Sequence, residues 1–91
     1  MILVSYDISD DKKRRCFSKY LEKFGFRLQY SVFQIENSDR ILNNIFADIK
    51  NKFEKSFDQT DSIYIFKLNE KCEVMKFGYA RNEDLEMIII R

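Results

Sequence analysis

Histidine is absent from this chain of 91 residues. Its absence removes serine–histidine–aspartate and cysteine–histidine catalysis, histidine-bearing zinc sites and imidazole acid–base chemistry. Any catalysis falls to carboxylates, lysines, tyrosines or a metal-bound water. Cysteine is scarce: Cys16 and Cys72 stand far apart with no C-x-x-C partner, which points to a reducing compartment and to buried or incidental thiols. No apolar run approaches the ~18 residues of a membrane span. The short apolar run at the N-terminus enters a charged stretch and does not read as a signal peptide, so a cytoplasmic protein is expected. There is no P-loop, G-x-G-x-x-G or cysteine cluster, and no repeat, linker or low-complexity tract.

What remains describes a folded chain. Apolar residues make up 45% and aromatics 15%, too many for disorder. The length suits one domain over residues 1–91, small enough that oligomerisation is a plausible source of further core. Net charge is +1 with 34% charged residues, so the total argues neither for nor against nucleic acid, and only clustering carries information.

Residues 1–8 read as a buried strand, with Ile2, Val4, Tyr6 and Ile8 on one face and Leu3, Ser5 and Asp7 on the other. Residues 10–24 have helical periodicity through Cys16, Phe17, Tyr20, Leu21 and Phe24. Ser9 or Asp10 suits the N-cap, and Gly25 suits the left-handed position just past the end. Residues 26–36 read as extended, but the alternation slips near Ser31: either one bulged strand or two short strands around a tight reversal. Residues 38–55 form a second amphipathic helix, capped by Asn37 or Ser38, with Ile41, Leu42, Ile45, Phe46, Ile49 and Phe53 on its apolar face. Residues 61–69 make a strand that is apolar on both sides, residues 73–77 a short extended piece ending at Gly78, and residues 85–90 a last strand. This order predicts an α+β, ferredoxin-like sandwich, with two helices on one face of an antiparallel sheet. The second apolar face and the apolar tail suit a homodimer; the alternative for the tail is a strand that closes its own sheet.

Two features carry candidate chemistry. Asp7 ends the first strand, where it either caps the following helix or serves as a ligand for a hard cation; one carboxylate holds magnesium poorly, whereas two brought together across a dimer axis suffice. Asp10 is a possible helper. Lys12, Lys13, Arg14 and Arg15 occupy the early turns of a helix, where the dipole already favours anions: they form either a phosphate-binding surface, to which Arg27 adds, or a solvated charged face. Lys50, Lys52 and Lys55 read as ordinary solvent-facing lysines. Tyr6, Tyr30 and Phe33 read as core rather than as base-stacking platforms, and Ser31 as a bulge residue or as a phosphate contact through its hydroxyl or backbone N–H.

The pieces Val4-Ser5-Tyr6-Asp7-Ile8, Lys13-Arg14-Arg15 and Gly25-Phe26-Arg27-Leu28-Gln29-Tyr30-Ser31-Val32-Phe33, followed by Asp61, Cys72, Gly78 and Ile88-Ile89-Ile90, resemble the CRISPR-associated Cas-two family over nearly the whole chain. The resemblance implies a ferredoxin-like βαββαβ homodimer, with residues 26–36 split into two strands around Ser31. It also implies an added C-terminal strand, so that the tail at 81–91 packs across the dimer. It implies a magnesium- or manganese-dependent endonuclease of RNA or DNA, with one ion shared between the Asp7 carboxylates of the two subunits and with Tyr6, Asp10 and Phe33 in support. It further implies a partner, the Cas-one integrase, between whose dimers the protein holds double-stranded prespacer DNA during spacer acquisition. In that scaffold role Lys12, Lys13, Arg14, Arg15, Arg27 and Ser31 contact the nucleic-acid backbone, the tail is the expected integrase-binding surface, and cleavage is not required.

Overall fold

A computed structural model of the chain describes residues 1–75, 77 and 78. Its elements are β1 (Ile2–Asp7), α1 (Asp11–Leu21), β2 (Gly25–Gln29), β3 (Val32–Ile35), α2 (Asp39–Asp48) and β4 (Ser62–Lys67). The four strands form one antiparallel sheet in the order β2-β3-β1-β4. That is the ferredoxin-like arrangement expected from the element order. The expected tail strand and the cross-dimer tail lie outside the described residues, and residues 72–75 have no regular structure where an extended piece was expected.

β1 sits between β3 and β4, so its backbone is paired on both sides, and alternation sorts its side chains. Ile2, Val4 and Tyr6 are buried against the helices, whereas Leu3, Ser5 and Asp7 face the other way. Pairing places Tyr64 beside Ser5 and Phe66 beside Leu3 on this second face, with Gln34 and Val32 across the other edge of β1. Tyr64 and Phe66 are 64% and 45% exposed, with rings stacked 6.2 Å apart. The side of the sheet away from the helices is therefore apolar and open among the described residues.

The opposite side is closed by an aromatic core. Phe17 of α1 meets Tyr6 edge-on at 5.2 Å and Phe53 at 5.0 Å, and Tyr20 meets Phe53 at 5.0 Å. Burial of each such ring contributes on the order of 1.5–3 kcal/mol. The second helical stretch runs through a π-helical turn at Ile49–Phe53 and a 3-10 turn at Glu54–Ser56, so helical backbone covers the expected span. Ser38 caps it, accepting from the Ile41 N–H at 3.3 Å. Phe46, expected on the apolar face, is 49% exposed. Cys16 also departs from expectation: it is exposed, not buried on the α1 stripe.

Residues 25–35 contain both the reversal and the irregularity that the sequence left as alternatives. Tyr30 and Ser31 form the turn between β2 and β3, and the register shifts between Arg27 and Gln29, leaving Leu28 as the extra residue. Gly25 does not end α1 in a left-handed conformation. The helix stops at Leu21, its last turn tightened by Lys23 and Phe24 N–H groups donating to the Tyr20 and Leu21 carbonyls. Gly25 instead opens β2, and glycine is required there because a Cβ would stand 1.9 Å from the Gln34 carbonyl oxygen. Gly25→Ala must push β2 away from β3, and it is expected to lower unfolding free energy by about 3 kcal/mol in urea titration; an unchanged midpoint would show that the strands part freely.

Candidate functional site

Most of the candidate residues lie around the end of β1 and the start of α1. Asp10, not Asp7, caps the helix, its carboxylate accepting from the Lys13 N–H at 2.9 Å. Asp7 is thereby released from the capping role. It is exposed, it opposes Ser62 on the open side of the sheet, and among the described residues its carboxylate has no hydrogen-bond or ion-pair partner.

The loop that carries Asp7 into the helix is held by a residue from the far end of the chain. Asp61 accepts from the Ser9 N–H at 3.0 Å, from the Ser9 hydroxyl at 3.1 Å and from the Asp58 N–H at 2.9 Å. The Asp58 and Ser9 backbone donors hold its carboxyl below the ordinary carboxylate range. The sequence shows Asp61 only as the acid at the head of a strand. Its partner lies 52 residues away, and nothing in the local pattern signals the pairing.

The basic residues divide into inward and outward sets. Arg14 is turned inward: it donates to the Ile8 carbonyl at 3.0 Å, pairs with Asp11 and lies over the Tyr30 ring at 5.7 Å. Arg27 donates to the Tyr30 carbonyl and lies over the Phe33 ring at 5.1 Å. Lys13 donates to the Ser56 carbonyl and ties α1 to the end of the second helical stretch. Lys12 and Arg15 are exposed, as are Lys50, Lys52 and Lys55. Tyr6 and Phe33 are core, as expected, but Tyr30 sits in the turn and is 69% exposed. Ser31 contributes its carbonyl, which accepts from the Tyr6 N–H at 3.1 Å and extends the β1–β3 ladder.

Arg14, Arg15 and Arg27 converge on a cleft of about 320 Å³ between α1 and the β2–β3 turn, lined also by Tyr6, Tyr30 and Asp11, with Ser18 in its wall. Asp7 does not join it. Tyr6 and Asp7 are consecutive on β1 and face opposite sides of the sheet, so the arginines and the free carboxylate are divided between the two sides. The alternation along β1 sets Asp7 opposite Tyr6 in the sequence already; what the sequence left open is that the arginines stand on the Tyr6 side. Among the described residues no group of three or more acidic, cysteine or histidine side chains is placed to hold a metal ion, so Asp7 stands as a single hard-oxygen donor in one copy of the chain.

The family model for CRISPR associated protein Cas2 matches residues 1–76. This chain belongs to the Cas2 family. Among its curated relatives, a CRISPR-associated endoribonuclease Cas2 of Archaeoglobus fulgidus is 42% identical over 73 residues, covering 77% of this chain and 72% of the relative. Another of the same name, from Methanospirillum hungatei, is 29% identical over 90 residues and spans 97% of both chains. Of solved structures, Cas2 from Streptococcus pyogenes superposes with a TM-score of 0.59 at 30% identity, covering 77% of this chain and 87% of that one. A hypothetical protein from Thermus thermophilus gives a TM-score of 0.68 at 28% identity, covering 87% and 90%. The Cas2 fold and the position of Asp7 at the end of its central strand thus rest on separate observations. No helix among the described residues is long and apolar enough to cross a membrane.

The Asp61 clamp has a pH signature. A carboxyl whose pKa is depressed by folding stabilises the fold above its unfolded value of about 3.9 and loses that contribution as pH falls through the lower folded value. Asp61→Asn is therefore expected to melt below the parent at neutral pH, with the gap narrowing as pH drops below about 4. The exposed Asp39–Lys67 pair, whose carboxyl is also lowered, is present in both proteins and cancels. Melting temperatures from pH 7 to pH 2 check this; a gap that stays constant would deny Asp61 its ionised role.

Proposed function

We propose that the protein works as a homodimer that binds nucleic acid through the basic surface around α1, and that its two Asp7 carboxylates form one magnesium or manganese site for phosphodiester cleavage. The observation that carries this reading is the exposed Asp7 carboxylate on the open, apolar side of the sheet, without a partner among the described residues. A face carrying Leu3, Val32, Tyr64 and Phe66 is costly to leave in water and suits burial against a second copy. A two-fold axis near the end of β1 would bring two acidic tips to one gap. A pair of carboxylates has the oxygen chemistry a small hard cation requires, and the described residues of one copy hold no cluster of acidic side chains that supplies it. When bound, such an ion supplies Lewis-acid charge to phosphate oxygens. The chain's own residues set its place: Asp61 holds the Ser9 loop, Asp10 takes the helix cap, and Asp7 is left to face the gap. The endoribonuclease names of the curated relatives favour RNA as a substrate.

A second reading is favoured by the division of charge across the sheet. The arginine-lined cleft opens on the helix side, away from Asp7, so backbone binding and cleavage need not occur at one place. A dimer with basic surfaces on its outer, helical sides suits a scaffold that holds double-stranded prespacer DNA between Cas-one integrase dimers during spacer acquisition. In this role Lys12, Lys13, Arg14, Arg15 and Arg27 grip phosphates without reading sequence, and binding weakens steeply with salt. The two readings are compatible in one protein: the scaffold is the biological role and hydrolysis a property of the family.

The test is Asp7→Asn. Its expected effect is a fall of at least about 100-fold in magnesium-dependent cleavage of single-stranded RNA, with duplex DNA affinity unchanged within about two-fold. Spacer acquisition by the variant in cells would assign the biological role to the scaffold. Undiminished cleavage by Asp7→Asn would overturn the hydrolytic reading.

A further inference from the structure

The open side of the sheet carries an unmet polar atom. Gln34 on β3 faces that side, since its neighbours in register are Leu3 on β1 and Phe26 on β2. Its side-chain oxygen, Oε1, is buried and has no hydrogen-bond donor among the described residues. Burying an amide oxygen without a donor costs free energy, and a methionine of similar volume would avoid that cost. An acceptor of this kind is accounted for when a donor reaches it from outside the chain. The same side of the sheet displays a donor. Tyr64 of β4 is 64% exposed, its ring stacks on Phe66, and its hydroxyl has no hydrogen-bond partner among the described residues. Within one copy the two groups do not bond, because β1 stands between β3 and β4.

Two-fold symmetry brings them together. Asp7 is the last residue of β1. A two-fold axis running across the strands at Asp7 would overlap two sheets only at that end, leaving Leu3 and Phe66 in water. An axis running along β1, in the plane between the sheets, also joins the Asp7 residues, and it lays the whole apolar face of one copy on that of the other. That axis exchanges the two sides of β1, so β3 of each copy lies over β4 of the other. Gln34 is level with Leu3 and therefore with Phe66, and Tyr64 is the next residue of β4 on the same face. The offset is about 7 Å along the strand between sheets about 10 Å apart, a span that a tyrosine and a glutamine side chain cover together. The contact is isologous, so it forms twice.

We propose that the Tyr64 hydroxyl of each copy donates to Gln34 Oε1 of the other, and that this reciprocal pair selects the alignment in which the two β1 strands, and with them the Asp7 residues, stack. The pair rests on the homodimer reading and names the residues that set its geometry. Apolar contacts tolerate a sheet slipped sideways by one strand, whereas such a slip breaks both hydrogen bonds. The experiment is a double-mutant cycle on the full chain, with dimer dissociation constants measured by analytical ultracentrifugation in a chelator, so that no metal contributes. Tyr64→Phe alters an exposed position and leaves folding intact, and circular dichroism checks that Gln34→Met keeps the fold. Each single variant is expected to weaken the dimer about 10-fold or more, because each leaves the other residue buried without a partner. The double variant is expected to be no weaker than either single, where independent effects would multiply to about 100-fold. A dimeric parent in which the two effects multiply, or in which Tyr64→Phe leaves the affinity unchanged, would overturn the pair while leaving the Asp7 reading untouched. A parent that stays a single copy throughout would instead overturn the homodimer reading, and the pair with it.

Discussion

A strand paired on both edges can hand consecutive side chains only to opposite faces of its sheet, and β1 is such a strand. Ile2, Val4 and Tyr6 go to the helices, while Leu3, Ser5 and Asp7 go to the open side. Slipping β1 by one residue against β3 and β4 would exchange the two sets, burying a carboxylate and exposing a tyrosine. The register Ile2 to Ile35 and Ile2 to Lys67 therefore does more than assemble a core. It determines which side of the molecule is acidic and apolar and which side carries the arginines.

The end of that strand is held by contacts distant in sequence. Asp61 reaches the Ser9 backbone, the Ser31 carbonyl receives the Tyr6 N–H, and Arg14 returns from α1 to the Ile8 carbonyl. Each satisfies a backbone group that the end of β1 would otherwise leave to water. Together they fix the path of the chain between Asp7 and the first turn of α1 from three directions. These contacts hold the Asp7 carboxylate in one place, where a carboxylate on a loose loop would spend most of its time elsewhere.

Much of this was legible in the residues. Period-two alternation placed β1 and its two faces, Ser9 or Asp10 and Asn37 or Ser38 marked the helix starts, and the broken phase near Ser31 marked a bulge or a reversal, of which the structure has both. The less legible features are those set by tertiary contact. Gly25 looks like a helix stop, but its lack of a side chain serves the close approach of Gln34. Four consecutive cations look like one basic patch, yet Lys13 and Arg14 turn to backbone carbonyls on other elements while Lys12 and Arg15 remain exposed. Tyr30 continues the alternation of Phe26 and Leu28 and reads as core, but the turn lifts it to the rim of the cleft. Asp61 gave only the start of a strand. In each case the deciding partner is remote in sequence, and residue type alone does not name it.

The central claim, two Asp7 carboxylates meeting at one ion, is best tested by anomalous diffraction from crystals grown with manganese. A shared site predicts a single ion on the two-fold axis, bonded to one carboxylate oxygen from each copy at about 2.1–2.2 Å, so that those oxygens lie within roughly 4.4 Å of one another. A dimer in which the two Asp7 residues lie too far apart for one ion to bridge, or manganese bound only elsewhere, would contradict it.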